Sequence, residues 1–141
     1  MGYEIYEKEK NEIVKKNEVY LNEFKKWLTD KGLVSKTIDK HLENVEFYIN
    51  EYLNYYEPTE MEEGCYDLNS FLGDWFIRKC LWSTASSIKE NAASIKKFYK
   101  CMVELGHVDK NAYQELVDEI KECMDEWLEA VDDYDDDCFY F

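Results

Sequence analysis

Four lysines carry the most chemical potential in this chain: Lys89, Lys96, Lys97 and Lys100, all within the stretch Ser83–Gly106. Residues seven and four apart share a helix face, so Lys89, Lys96 and Lys100 form one stripe, with Lys97 and the small Ala93 beside it. Ammonium groups ranged around a small residue, with the Ser86 hydroxyl nearby, suit a closely approaching phosphate backbone. Arg78 and Lys79 extend the basic patch from the preceding helix. Between Phe76 and Cys101 six bases meet only Glu90, a local charge of +5.

The opposite chemistry follows directly. From Asn111 to Phe141 there are twelve acids and one base, Lys121, so this third holds −11 of the chain's net −15. Glu115, Asp118, Glu119, Glu122, Asp125, Glu126 and Glu129, followed by Asp132–Asp137, form an acidic surface. That surface fits a basic groove on a partner protein, or it solubilises one face of a helix. An overall pI near 4.5 argues against nucleic acid for the chain as a whole. The charge is so unevenly spread that the value describes the C-terminal third more than the rest.

Other candidate chemistries are weaker. The acid pairs Glu62–Glu63 and Asp132–Asp133 lack the spacing of a calcium loop. His41 opens one helix and His107 lies in a turn, and neither has a Cys or Ser nearby in sequence to form a dyad. The cysteines are five, odd in number and widely spaced without a CxxC pair, which reads as free thiols in a reducing compartment and not as a zinc site. Trp27, Trp75, Tyr99 and Trp127 recur at helical spacing and read as core, not as a base-stacking platform. No cofactor or metal is implied.

The elements that must position these residues are helical. One proline and five glycines in 141 residues leave little for a sheet-and-turn architecture. Ile13, Asn17, Tyr20, Leu21, Phe24, Trp27 and Leu28 form the stripe of a first helix, Glu4 to Thr29, stopped at Gly32. Ser35 is placed to cap a second helix carrying Ile38, Leu42, Val45, Ile49, Tyr52 and Tyr56, ended by Pro58. Glu57 to Tyr66 is the main loop. Asp67 caps a third helix to about Leu81, in which Gly73 allows a close helix crossing. Ser83 caps the lysine helix, whose Ala85, Ile88, Ala92, Ile95, Tyr99 and Met102 face inward. A fifth helix runs from about Ala112 to Ala130. The expectation is an all-α bundle of about five helices: residues 1–130 as one domain, and residues 131–141 as an acidic, aromatic tail. The charged N-terminus carries no signal peptide, and no apolar run spans a membrane, so the expected location is the cytoplasm.

Two passages resemble a known family. FKKWLTDKGLVSKTIDKHLENVEFYINEYL is similar to the opening of the SAM-like core-binding domain of tyrosine recombinases (phage integrases), with Gly32, Leu33, Ser35, Thr37, Phe47 and Tyr48 at matching places. LNSFLGDWFIRKCLWSTASSIKENAASIKKFYKCMVELGHVDKNAYQEL is similar to its later half, through Phe98, Tyr99, Gly106, Val108 and Asn111. The family often has Asn-Pro after that glycine turn, where this chain has Asn111–Ala112. The resemblance covers about residues 20–120. It implies an orthogonal helical bundle that packs against duplex DNA as part of a clamp. It brings no catalytic domain: a tyrosine nucleophile needs arginines and histidines to stabilise the phosphate, and Arg78 is the chain's one arginine.

Together these readings give a non-enzymatic accessory or regulatory module. It contacts duplex DNA, weakly and salt-sensitively, through Arg78, Lys79, Lys89, Lys96, Lys97 and Lys100. The alternative is a protein-interaction module whose acidic helix and tail engage a basic partner, as a DNA mimic would. Lys36 and Lys40 on the second helix fit the first reading, while Glu43, Glu46 and Glu51 farther along it do not.

Overall fold

The apolar stripes fold into helices packed around one core. The computed structural model describes residues 2–139, with side chains through Tyr134, and these residues contain no strand. Helix α1 spans Gly2–Asp30. Helix α2 begins as Ser35–Glu46 and runs on through a π-helical segment, Phe47–Tyr52. Helix α3 is built of three continuous pieces: Leu68–Ser70, π-helical Phe71–Trp75, and Phe76–Lys79. Helix α4 spans Ala85–Glu104 and α5 spans Lys110–Phe139. No described helix is long and apolar enough to cross a membrane.

Two glycines stop helices for a backbone reason. Gly32 and Gly106 have φ of +85° and +83°, the left-handed region in which a side chain is strained. Each closes the same double hydrogen bond. Gly106 N–H donates to Val103 O and His107 N–H to Met102 O, just as Gly32 N–H donates to Thr29 O and Leu33 N–H to Leu28 O. Orphan carbonyls at both helix ends are thereby satisfied.

Capping departs from expectation at two helix starts. Thr84, not Ser83, caps α4: its Oγ1 accepts from Ser87 N–H at 3.1 Å, and Thr84 N–H donates to Ser87 Oγ at 2.7 Å. Ser83 is buried one position earlier. At α2 the cap position falls on Val34, so Ser35 is already the first helical residue. Asp67 does sit at the head of α3, but its side chain makes no capping bond. The Asn69 N–H there is satisfied by Glu119 Oε1 from α5, at 2.7 Å.

The expected loop from Glu57 to Tyr66 is half structured. Residues Met61–Tyr66 form a 3-10 helix with Met61, Gly64 and Cys65 buried. Two core tyrosines fasten it, Tyr99 Oη donating to Met61 O at 2.6 Å and Tyr48 Oη to Gly64 O at 2.7 Å. Burial pushes both phenols well above their ordinary pKa, so they stay neutral donors.

The core holds Phe24, Leu28, Tyr48, Phe71, Phe76, Phe98, Tyr99 and Trp127 among its largest fully buried side chains. Gly73 works as the sequence implied. A Cβ placed there would lie 2.9 Å from Trp127 Cδ1, so α3 and α5 approach only because that carbon is missing. Trp127 Nε1–H then donates to Asn69 Oδ1 at 2.7 Å. Helix α5 does not end at Ala130: Val131 is fully buried, and the helix continues to Phe139. Asp135–Asp137 and the aromatic end lie outside the residues whose side chains are described.

Candidate nucleic-acid interface

All six basic residues singled out in the sequence are exposed, but they do not form one patch. Lys96, Lys97 and Lys100 line a common hollow of about 320 Å³ with Ala93 and with Tyr113 of α5. Ala93 also lines a larger neighbouring hollow between α2 and α4, of about 640 Å³. Its other side carries Lys36, Thr37, Lys40, His41 and Asn44 from α2. Packing of α2 against α4 therefore places Lys36 and Lys40 across one hollow from Ala93, which also borders the hollow of Lys96, Lys97 and Lys100. The small Ala93 joins the two hollows. Asp39 and Glu43 of α2 and Glu90 of α4 share the larger one, so its surface is mixed in charge on both sides.

None of Lys36, Lys40, Lys89, Lys96, Lys97 and Lys100 lies in an ion pair among the described residues. Their ammonium groups are exposed and outside any of these ion pairs, free to exchange counterions for phosphate. Lys89 is exposed on α4 but lines neither hollow.

Arg78 and Lys79 are elsewhere and occupied. Arg78 makes a two-pronged contact with Asp74, Nε to Oδ1 and Nη2 to Oδ2, both at 2.9 Å. That hydrogen bonding holds the Asp74 carboxyl below its usual range. Lys79 Nζ stands 5.5 Å from the centre of the Tyr55 ring, a cation–π contact. Around them are exposed aromatic and aliphatic side chains that the sequence reading had not separated from the core: Tyr55, Tyr56, Leu81 and Trp82. Trp82 sits in the break before α4, where helical spacing gives no information about burial.

The second feature missed in the sequence is a polar cluster at the α2–α4 contact. His41 Nδ1 lies 2.8 Å from Ser94 Oγ, and Asn44 Nδ2 donates to the same oxygen at 3.0 Å. Sequence neighbours gave His41 no serine, because Ser94 is 53 positions away. Ser94 is 1% exposed, so its hydroxyl is a structural link and not an accessible nucleophile. Burial, then the Lys97 charge, lowers the His41 pKa, which keeps the ring neutral at pH 7. His107, the other histidine, places Nε2 3.1 Å from Glu23 Oε1 and tilts against Tyr20, away from this groove.

The acidic residues of α5 divide as well. Glu115, Asp118, Glu122, Asp125, Glu126 and Glu129 are exposed. Glu119 is half-buried and engaged at the head of α3, so it serves the fold. Its pKa is raised, mainly by burial.

The cysteine thiols are free at Cys65, Cys80, Cys101 and Cys123. Burial pushes Cys65 and Cys101 up to about 12 and Cys80 up to about 11, so they remain protonated and unreactive at pH 7. No group of side chains suited to a metal ion occurs among the described residues. Compared with protein-family models, curated proteins and solved structures, the chain has no match.

Proposed function

We propose that this chain is a non-catalytic module that contacts duplex DNA through the α2–α4 groove, as an accessory or regulatory protein. The observation that carries this reading is the set of unpaired lysines on both sides of Ala93: Lys36 and Lys40 from α2, Lys96, Lys97 and Lys100 from α4. A small residue between two cationic edges lets a phosphate backbone approach without a steric barrier. The resemblance of residues 20–120 to the core-binding domain of tyrosine recombinases supports the same face, since that module packs on duplex DNA. A SAM-like, orthogonal arrangement of the helices belongs to this proposal. So does a cytoplasmic location.

The contact is weak and salt-sensitive. Five phosphate contacts give a slope of about −4 to −5 in log affinity against log salt. A salt titration with a duplex of about 20 base pairs, starting near 50 mM, tests this on the full chain. Replacing Lys96, Lys97 and Lys100 together by Glu abolishes binding if the groove is the contact. Unchanged binding by that variant, or none by the native chain at about 50 mM salt, overturns the reading.

A second reading has its own support in the exposed carboxylates along α5, Asp132 and Asp133 included. They form an acidic ridge suited to a basic protein groove, as in DNA mimicry. Reversing Glu122, Asp125, Glu126 and Glu129 to Lys disrupts capture of a basic partner under this reading, whereas under the first it leaves duplex binding in place.

A further inference from the structure

The cluster at the α2–α4 contact carries more than packing. Ser94 has one hydroxyl hydrogen, and Asn44 already donates to its oxygen. Among the described residues the only acceptor within reach of that hydrogen is His41 Nδ1, at 2.8 Å. Ser94 therefore donates to Nδ1, and the hydrogen of the neutral ring sits on Nε2. Nε2 has no protein partner among the described residues. A deeply buried serine and an amide thus fix one tautomer of a half-buried histidine that lines a hollow of about 640 Å³.

The charges around the ring come from both packed helices: Lys36, Asp39, Lys40 and Glu43 of α2, Glu90 and Lys97 of α4. Lys97 lines the smaller hollow, which borders that of His41 at Ala93, and its charge adds to burial in lowering the His41 pKa. Two N–H donors, one of them cationic, suit an anionic oxygen, with Lys36 and Lys40 of the same hollow adding to the attraction and Asp39, Glu43 and Glu90 opposing it.

We propose that His41 Nε2–H and Lys97 Nζ form a subsite for a phosphate oxygen where the two hollows meet at Ala93. The subsite deepens the DNA reading and rests on it for the source of the phosphate, a backbone diester. A bound diester favours the protonated ring, so binding takes up a proton at His41. Affinity then rises as pH falls below the ordinary histidine range, by about three- to tenfold over two pH units.

The test follows the His41 ring by NMR in the full chain at constant ionic strength. One sample holds chloride, a second dimethyl phosphate, a third a duplex of about 20 base pairs, and binding of the duplex is read separately by anisotropy. Long-range nitrogen correlations should show the Nε2–H tautomer in chloride; the Nδ1–H tautomer overturns the proposal. The titration midpoint of His41 should rise by about half a unit or more with the duplex, with dimethyl phosphate, or with both, while His107 stays in place. A rise with the duplex alone assigns the subsite to polymer phosphate. A rise with dimethyl phosphate, in a protein that binds no duplex, keeps the subsite for free phosphate esters and removes the DNA reading. A duplex that binds without moving His41, or no movement with either probe, overturns the proposal. His41→Gln should flatten the pH dependence of duplex affinity, which a merely structural role would leave unchanged, and His107→Gln serves as the control.

Discussion

At Gly73 a missing carbon decides how two helices meet. Alanine is the better helix former by about 1 kcal/mol, so propensity alone predicts that Gly73→Ala stabilises. Its Cβ would press on Trp127 at 2.9 Å, in a rigid and buried indole that also holds a bond to Asn69. Overpacking of that kind costs about 1–3 kcal/mol. Urea denaturation should therefore show Gly73→Ala to be less stable, and a more stable variant would mean that α3 and α5 do not cross there. His41 offers a second residue-level prediction. Its folded pKa lies below its unfolded value near 6.5, so the unfolded chain binds more protons in that window. The contribution of His41 to stability is full above the unfolded value and is lost as pH falls through the folded one. His41→Gln should remove that portion of the stability loss in denaturation curves taken between about pH 7.5 and 5.

Helix ends carry the next set of consequences. Thr84→Ala removes the Oγ1 acceptor for the Ser87 N–H, the side-chain half of the reciprocal cap on α4, and should cost about 1 kcal/mol by thermal or urea unfolding, whereas a cap at Ser83 would leave it nearly neutral. Glu119→Ala takes away the acceptor for the Asn69 N–H and should cost about 1 kcal/mol as well, although the residue belongs to a different helix. Two bonds that tie the 3-10 segment Met61–Tyr66 to the core come from Tyr48 and Tyr99. Tyr99→Phe leaves the buried Met61 carbonyl without its donor, a loss of about 1–3 kcal/mol, and should raise hydrogen exchange across Met61–Tyr66 before the rest of the fold. Periodicity revealed the long helices because each shows an apolar face. It missed this short segment because three buried residues in six have no recognisable period.

For the whole molecule, charge separation governs behaviour. A basic groove edge on α2 and α4 lies in one chain with the acidic ridge of α5, and the net charge of −15 repels a polyanion at long range. Replacing Asp132 and Asp133 by Asn should strengthen duplex binding at about 50 mM salt and do little near physiological salt, where a screening length of about 8 Å hides distant charges. Equal effects at both salts would mean a direct contact between these acids and the groove. Cutting the chain after Ala130 is a poorer probe of the same question, because Val131 is fully buried and its loss would open the core.

The one-dimensional pattern was enough to determine the helical class, the inward faces of α1 and α4, that of α2 up to Tyr52, the two glycine stops and the closeness allowed by Gly73, while Tyr56 lies exposed beyond the end of α2. Each depends on residues within one or two turns, or on the backbone freedom of a single glycine. Charge segregation was equally plain, since it is a sum over neighbours in sequence. What needed the folded chain was every partnership across helices. His41 finds Ser94 53 positions away, Glu119 caps a helix 50 positions before it, and Lys36 and Lys40 come to share a hollow with Ala93 of α4. Arg78 belongs to the basic run in sequence and to Asp74 in space. The physical reason is the same throughout: a side chain's chemistry is set by the groups within a few ångströms, and packing of whole helices chooses those groups.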